Sequence, residues 1–230
     1  MELSNRLRIV AGEVSQGNRL ADIGTDHGYI PIFLVKEGRI PSAIAMDVND
    51  GPLKRAQKNI EKEGLSDRII TRKSDGLEAL LKDEADTILI AGMGGALVTE
   101  ILERGRSVLA EGKELILQPQ SELFKVRHCL HRMSYRIIKE AALREDGKYY
   151  FIIKAVPGTE HYEEEYLYEY GKCLLEKKDS VMVEYLLSEK EKQEKVYRTL
   201  LSHKTEAARK RRKEVEAQLD KIKKAYCYEM

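Results

Sequence analysis

The chain has 230 residues, 42% of them hydrophobic, enough for one α/β domain with a buried core and an appendage. Its 40 basic and 39 acidic residues leave a formal charge of +1, which excludes a basic footprint over the whole molecule and confines any nucleic-acid contact to a local patch. No apolar run of about 18 residues occurs, no apolar leader follows Met1, and the three cysteines (Cys129, Cys173, Cys227) are odd in number and far apart, so a cytoplasmic protein with reduced thiols and no membrane partner is expected.

In chain order, a first helix is expected from Glu2 to about Glu13, where it could lid a cleft. The apolar run Leu20–Ile23 then reads as a strand entering Asp22-Ile23-Gly24-Thr25-Asp26-His27-Gly28, with a helix over Tyr29–Glu37. Ala43–Val48 is the second strand, followed by a helix over Pro52–Glu63 with Asp50 as its cap and Gly64 as its stop. Strands at Ile69–Lys73, Thr87–Ala91 and Glu114–Leu117 alternate with helices at Leu97–Arg104 and Glu122–Met133. Tyr135–Leu143 and Tyr149–Val156 then form a hairpin around Asp146-Gly147. This predicts a Rossmann-like parallel sheet of the class I methyltransferase type, closed by a β-hairpin and spanning residues 1–158.

Residues 159–230 lack proline. Leu201, Ala208, Val215 and Ile222 recur every seven residues, with Leu219 and Tyr226 as a second seam, which predicts a coiled coil or helical hairpin. A single amphipathic helix packed on the main domain is the alternative.

The first turn carries the most chemistry. A dinucleotide site wants G-x-G-x-x-G, whereas this turn has Gly24-x-x-x-Gly28 with Asp22 and Asp26. Carboxylates there repel a pyrophosphate and suit S-adenosylmethionine, which carries an ammonium and a sulfonium; an ordinary strand-to-helix turn is the plain alternative. Asp47, ending the second strand, is placed for ribose hydroxyls. Asp75 and Gly76, after the third, suit an adenine amino group or a bland loop equally. The fourth strand runs into Gly92-Met93-Gly94-Gly95 rather than an Asn/Asp-Pro-Pro-aromatic motif, which argues against a standard adenine-N6 methylase. Gly92 offers backbone to a cofactor, and Met93 an apolar surface to cofactor or base. Gln118-Pro119-Gln120 places amides at the same mouth, where they could read a base edge. His128, Cys129 and His131 suggest zinc, but no second ligand cluster accompanies them and no metal is expected.

Leu3-Ser4-x-Arg6-Leu7, Ala21-Asp22-Ile23-Gly24-Thr25-Asp26-His27, Asp50-Gly51-Pro52, Gly76-Leu77-Glu78, Ile90-Ala91-Gly92-Met93-Gly94-Gly95 and Ile116-Leu117-Gln118-Pro119 together resemble the bacterial tRNA adenine-N1 methyltransferase family TrmK. Gln120, where asparagine is expected, and Gly28, where alanine is common, depart from its pattern. The resemblance implies methylation of adenine 22 in tRNA with S-adenosylmethionine as cofactor. On that footing Asp26 is the candidate to stabilise the charged product or take an N6 proton, with binding of the methionine ammonium as its alternative role. His27 and Tyr29 follow for contact with base or cofactor, and Arg6, Met93, Gln118 and Pro119 for the substrate. The basic run containing Arg209, Lys210 and Arg212 would hold tRNA phosphates, or simply be a solvated face. The partner is tRNA and a monomer is expected. The rival readings are a methyltransferase acting on another RNA position or a small molecule, and a non-catalytic tRNA-binding module.

Overall fold

The computed structural model describes residues 3–110 and 112–228, with the expected start at Glu2 lying outside that range. Helix α1 (Asn5–Glu13) opens after Ser4, whose Oγ accepts from Leu7 N at 3.3 Å. There follow β1 (Leu20–Ile23), α2 (Tyr29–Lys36), β2 (Ala43–Asp47), α3 (Asp50–Lys62), β3 (Ile69–Lys73), β4 (Thr87–Met93), α4 (Gly95–Arg104) and the short α5 (Arg106–Leu109). The sheet is completed by β5 (Glu114–Pro119), then α6 (Leu123–Arg132), β6 (Tyr135–Glu145) and β7 (Lys148–Pro157).

Seven strands lie in the order β3-β2-β1-β4-β5-β7-β6, the first five parallel and β7 antiparallel to both of its neighbours. Strands β1 and β5 are buried along their whole length, as β2 and β4 are over their apolar stretches, because helices cover both faces of a parallel sheet. The edge strand β3 is mostly accessible and ends in Arg72-Lys73, charges that discourage pairing with another chain. The hairpin turns through Asp146 and Gly147 at φ 50° and 75°, the backbone of a type I′ turn.

Strand order reverses between β1 and β4. Right-handed crossovers therefore send α2 and α3 to one face and α4 to the other, opening a crevice at the carboxyl ends of β1 and β4. Beside it the ladder between β4 and β5 shifts register between Ala91 and Met93, so Gly92 bulges toward the crevice mouth.

Three expectations need correction. Asn49, not Asp50, is the N-cap residue of α3, and Asp50 is its first helical residue, where a carboxylate still favours the dipole. The chain divides into two units at His161/Tyr162 rather than at Gly158. Gly158 N donates to Ser134 O at 2.8 Å and Glu160 Oε2 accepts from Ile137 N at 2.9 Å, which keeps this stretch on the sheet unit. Leu201 ends one helix while Ala208 lies in the next, so the seven-residue seam does not run through residue 201.

The second unit, taken by itself, comprises α7 (Glu165–Tyr170), α8 (Lys172–Glu176), α9 (Ser180–Leu201) and α10 (Glu206–Tyr226). Ala208, Val215, Ile222 and Ala225 form the buried face of α10, while Tyr226 is 48% exposed. Gln218 Nε2 donates to Tyr170 OH at 2.8 Å, tying α10 to α7. No helix among the described residues is long and apolar enough to cross a membrane.

One ion pair sits wholly inside the sheet unit: Arg127 Nε on α6 donates to Glu140 Oε1 on β6 at 2.8 Å, with both side chains 0% exposed. Removing one partner of a buried pair strands a desolvated charge. Glu140→Ala is expected to cost about 3–5 kcal/mol of stability, whereas Arg127→Met with Glu140→Leu should melt near the wild type. Thermal unfolding of the two variants checks this.

Candidate active site at the strand ends

A cavity of about 380 Å³ opens at the switch point, walled by the β1–α2 turn, the end of β4 and residues Arg6 and Leu7 of α1. Gly24 has φ 76°, and a Cβ on it would meet Met93 Cε at 2.1 Å. The positive φ is what favours glycine there, and a side chain would in addition have to push the Met93 methyl aside.

Asp22 lies in the cavity wall at 7% exposure. Burial pushes its carboxyl up to about 6; the neighbouring Thr25 hydroxyl pulls it back and the Asp47 carboxylate adds to the rise. Among the described residues no cation pairs with it. Thr25 is 3% exposed, and its Oγ1 makes no hydrogen bond of normal geometry. A buried carboxylate that no cation among the described residues pairs with, in the wall of an open cavity, is the signature of a polar ligand site rather than of a finished core.

Asp26 stands at the mouth, 61% exposed, ion-paired with Arg55 of α3 and 3.2 Å from His27 Nε2. The His27 and Tyr29 rings stack at 4.8 Å and 12°, leaving Tyr29 37% exposed beside the cavity. Asp47 Oδ1 accepts from Asn49 N at 2.8 Å. Asp75 is turned onto Arg104 at 2.9 Å, and that guanidinium also engages Glu78. A Cβ on Gly76 would lie 3.1 Å from Ile101 Cγ1 and Cγ2, so Gly76 packs on α4.

The amides of the fifth strand divide their work differently from the expectation. Gln118 is 0% exposed and its Oε1 accepts from Arg6 Nη1 at 2.7 Å, so it holds Arg6 rather than facing the mouth. Pro119 is buried as the last residue of β5, and it is Gln120 that lines the cavity. Arg209 and Lys210 are exposed and Arg212 half-buried on α10, in the second unit. Burial first, then Glu103, pushes the Cys129 thiol up to about 11.

Sequence reasoning missed Arg55 and Thr25. Arg55 is 29 residues from Asp26, with no local signal linking them. Thr25 sits inside the turn itself, and its placement between two acidic residues was the available clue.

A family model described as TrmK, tRNA (adenine(22)-N(1))-methyltransferase, matches residues 20–224. The Bacillus subtilis (strain 168) tRNA (adenine(22)-N(1))-methyltransferase is 44% identical over 158 residues, 69% of this chain and 66% of that protein. The chain thus aligns with just under two thirds of that relative's length. The crystal structure of the B. subtilis M1A22 tRNA methyltransferase TrmK matches with a TM-score of 0.89 at 34% identity, covering 98% of this chain and 99% of that one. Streptococcus pneumoniae Sp1610 in complex with S-adenosyl-L-methionine matches at 0.88 and 35% identity, covering 98% and 100%.

The folded state holds the Asp22 proton more tightly than the unfolded chain does. The unfolded state therefore loses its proton first as pH rises from about 4 to about 6, and stability falls across that window. At pH 7, Asp22→Asn is expected to stabilise the ligand-free protein by up to about 3 kcal/mol, the equivalent of the shift, with little effect at pH 4. Melting temperatures of both proteins across this range test it; a difference independent of pH would assign the effect to something other than this carboxyl.

Proposed function

Because the chain belongs to the TrmK family of tRNA (adenine(22)-N(1))-methyltransferases, we propose that it methylates N1 of adenine 22 in tRNA, in the cytoplasm, with S-adenosylmethionine as the donor. The observation that carries this reading is the Asp22 carboxylate, buried in the wall of the switch-point cavity with no cation paired to it among the described residues. These residues fit the cofactor: Asp22 takes an ammonium, Thr25 donates or accepts, and Gly24 and Gly92 let a ligand lie against bare backbone. When bound, S-adenosylmethionine supplies a methyl group carried on a sulfonium. Asp47, at the end of β2, would take the ribose hydroxyls. Asp75 can take an adenine amino group only by leaving or sharing Arg104.

Adenine N1 carries its own in-plane lone pair, so the residues at the mouth need to orient the base more than activate it. Tyr29, backed by His27, offers a ring face on which an exposed base can stack. Gln120, in the cavity wall, offers an amide to the base edge, and Met93, whose Cε lies beside Gly24, an apolar edge. The target atom lies on the Watson–Crick edge, so the nucleotide must leave its stack to reach them. Methylation leaves positive charge on the adenine, and Asp26 is the mouth carboxylate able to stabilise it, with Arg55 already offsetting part of its charge.

Labelled S-adenosylmethionine and unmodified tRNA are expected to yield label at N1 of adenine 22. Label at another nucleotide, or tRNA bound without label, overturns the assignment. In the same assay Asp26→Asn should lower turnover about 10²-fold, the low end for a positioned acid–base group, with cofactor affinity kept. A parallel loss of affinity and turnover would make Asp26 a cofactor ligand.

The basic run of α10 is proposed to hold tRNA phosphates, since such contacts position an RNA without reading it. Replacing Arg209, Lys210 and Arg212 together by Ala should weaken tRNA binding for all tRNAs and reduce the slope of log affinity against log salt by about 3. An unchanged slope returns the run to a solvated face.

A further inference from the structure

Asp26 is not held by its own turn alone. Its Oδ1 takes the guanidinium of Arg55, while Oδ2 lies 3.2 Å from His27 Nε2. Both partners of the Arg55 pair are open to water, at 50% and 61% exposure, and a pair so exposed contributes little and exchanges readily. Arg55 belongs to α3, which follows the carboxyl end of β2 and so stands at the same edge of the sheet as the cavity. The acidic turn rests on this helix: Asn59 Nδ2 donates to His27 O at 2.9 Å, and a Cβ on Gly28 would lie 3.4 Å from Ala56 Cβ. With Leu53, Ala56 and Ile60 buried, Lys54, Arg55 and Lys58 share the outer face of α3, all exposed. Among the described residues no carboxylate pairs with Lys54 or Lys58, and Asp50 is taken up by Lys73 at 2.8 Å. Arg55 thus joins a largely uncompensated basic face to the carboxylate at the mouth.

We propose that this face of α3 holds phosphates of the RNA strand that enters the cavity, and that Arg55 leaves Asp26 for one of them. An arginine gains more from a phosphate, which it can meet through two parallel hydrogen bonds, than from an exposed carboxylate met through one. The exchange uncovers Asp26 Oδ1 while Oδ2 keeps its place beside His27, so the carboxylate regains its full charge once the RNA backbone is in position. Arg55 is then a positioning residue, acting on the strand directly and on the base through Asp26. The inference rests on the reading of the cavity as the site of RNA adenine methylation. It does not depend on the basic run of α10, which lies in the other unit.

Equilibrium binding of unmodified tRNA without cofactor, read by fluorescence anisotropy, tests the exchange in a cycle of four proteins: the wild type, Asp26→Asn, Arg55→Gln and the double variant. Asp26→Asn is expected to release Arg55 and tighten tRNA binding by about two- to fivefold, the equivalent of an exposed ion pair. Arg55→Gln should weaken binding about tenfold, lower the slope of log affinity against log salt by about 1, and abolish the gain from Asp26→Asn. Arg55→Lys should keep part of both effects. In turnover, the loss in Arg55→Gln should fall on KM rather than on kcat. Equal tightening by Asp26→Asn with and without Arg55 overturns the proposal, since it reports only a negative charge removed near the RNA; so does no tightening at all. Unchanged affinity in Arg55→Gln, or a fall in kcat with KM kept, overturns it too and makes Arg55 an orienting partner of Asp26 alone. A wild type that binds tRNA without transferring a methyl group overturns the methyltransferase reading instead, and the binding cycle still reports on Arg55.

Discussion

The reversal of strand order between β1 and β4 is the constraint on which the rest of this protein depends. With neighbouring connections leaving on opposite faces, the carboxyl ends of two adjacent strands stay uncovered, and a ligand can reach main-chain groups inside an otherwise closed sheet. The two walls of that crevice nearly touch. Met93 Cε occupies the space a Cβ of Gly24 would need, so the width of the site is set by a missing side chain on β1's turn and a pliable one at the end of β4.

Two carboxylates in the sheet unit show how burial is resolved at a structural site and left open at a functional one. Glu114 begins β5 and is nearly as inaccessible as Asp22. Burial alone would raise its pKa, but Ser15, Lys154 and Thr87 all bond to it, and the net displacement is downward. Lys154 also donates to Glu13 O and Ser15 Oγ, at 2.8 and 2.9 Å, so the cluster closes on itself and pins the end of α1 to β5 and β7. Among the described residues no cation pairs with Asp22, and its pKa stays high. Satisfied polar networks hold folds together, while the unsatisfied carboxylate marks the place where folding energy has been left for a ligand to recover.

The same contrast runs along α1. Its carboxyl-terminal end is held by the closed Glu114–Lys154–Ser15 cluster, whereas near its start Arg6 is aimed and fixed but not neutralised. The mouth is treated differently again. Asp26 and Asp75, both acidic and both near the strand ends, are already engaged by Arg55 and Arg104, and their exposure lets those pairs exchange with solvent at little cost.

The sequence by itself determined the alternation of strands and helices, the closing hairpin at Asp146-Gly147 and the position of the acidic turn, because each of these is set by neighbours within a few residues. Periodicity, glycine placement and the spacing Gly24-x-x-x-Gly28 are local quantities. Its errors at Asp50, Leu201 and the unit boundary are equally local: one residue of capping register, a helix break at residues 202–205, and three residues held to the sheet unit by the bond of Glu160 to β6. Which charges remain unpaired was decided only by the tertiary structure. Arg6 meets Gln118 across 112 positions and Asp75 meets Arg104 across 29. Pairing depends on which side chains the fold carries within about 4 Å of one another, and no spacing along the chain encodes that distance.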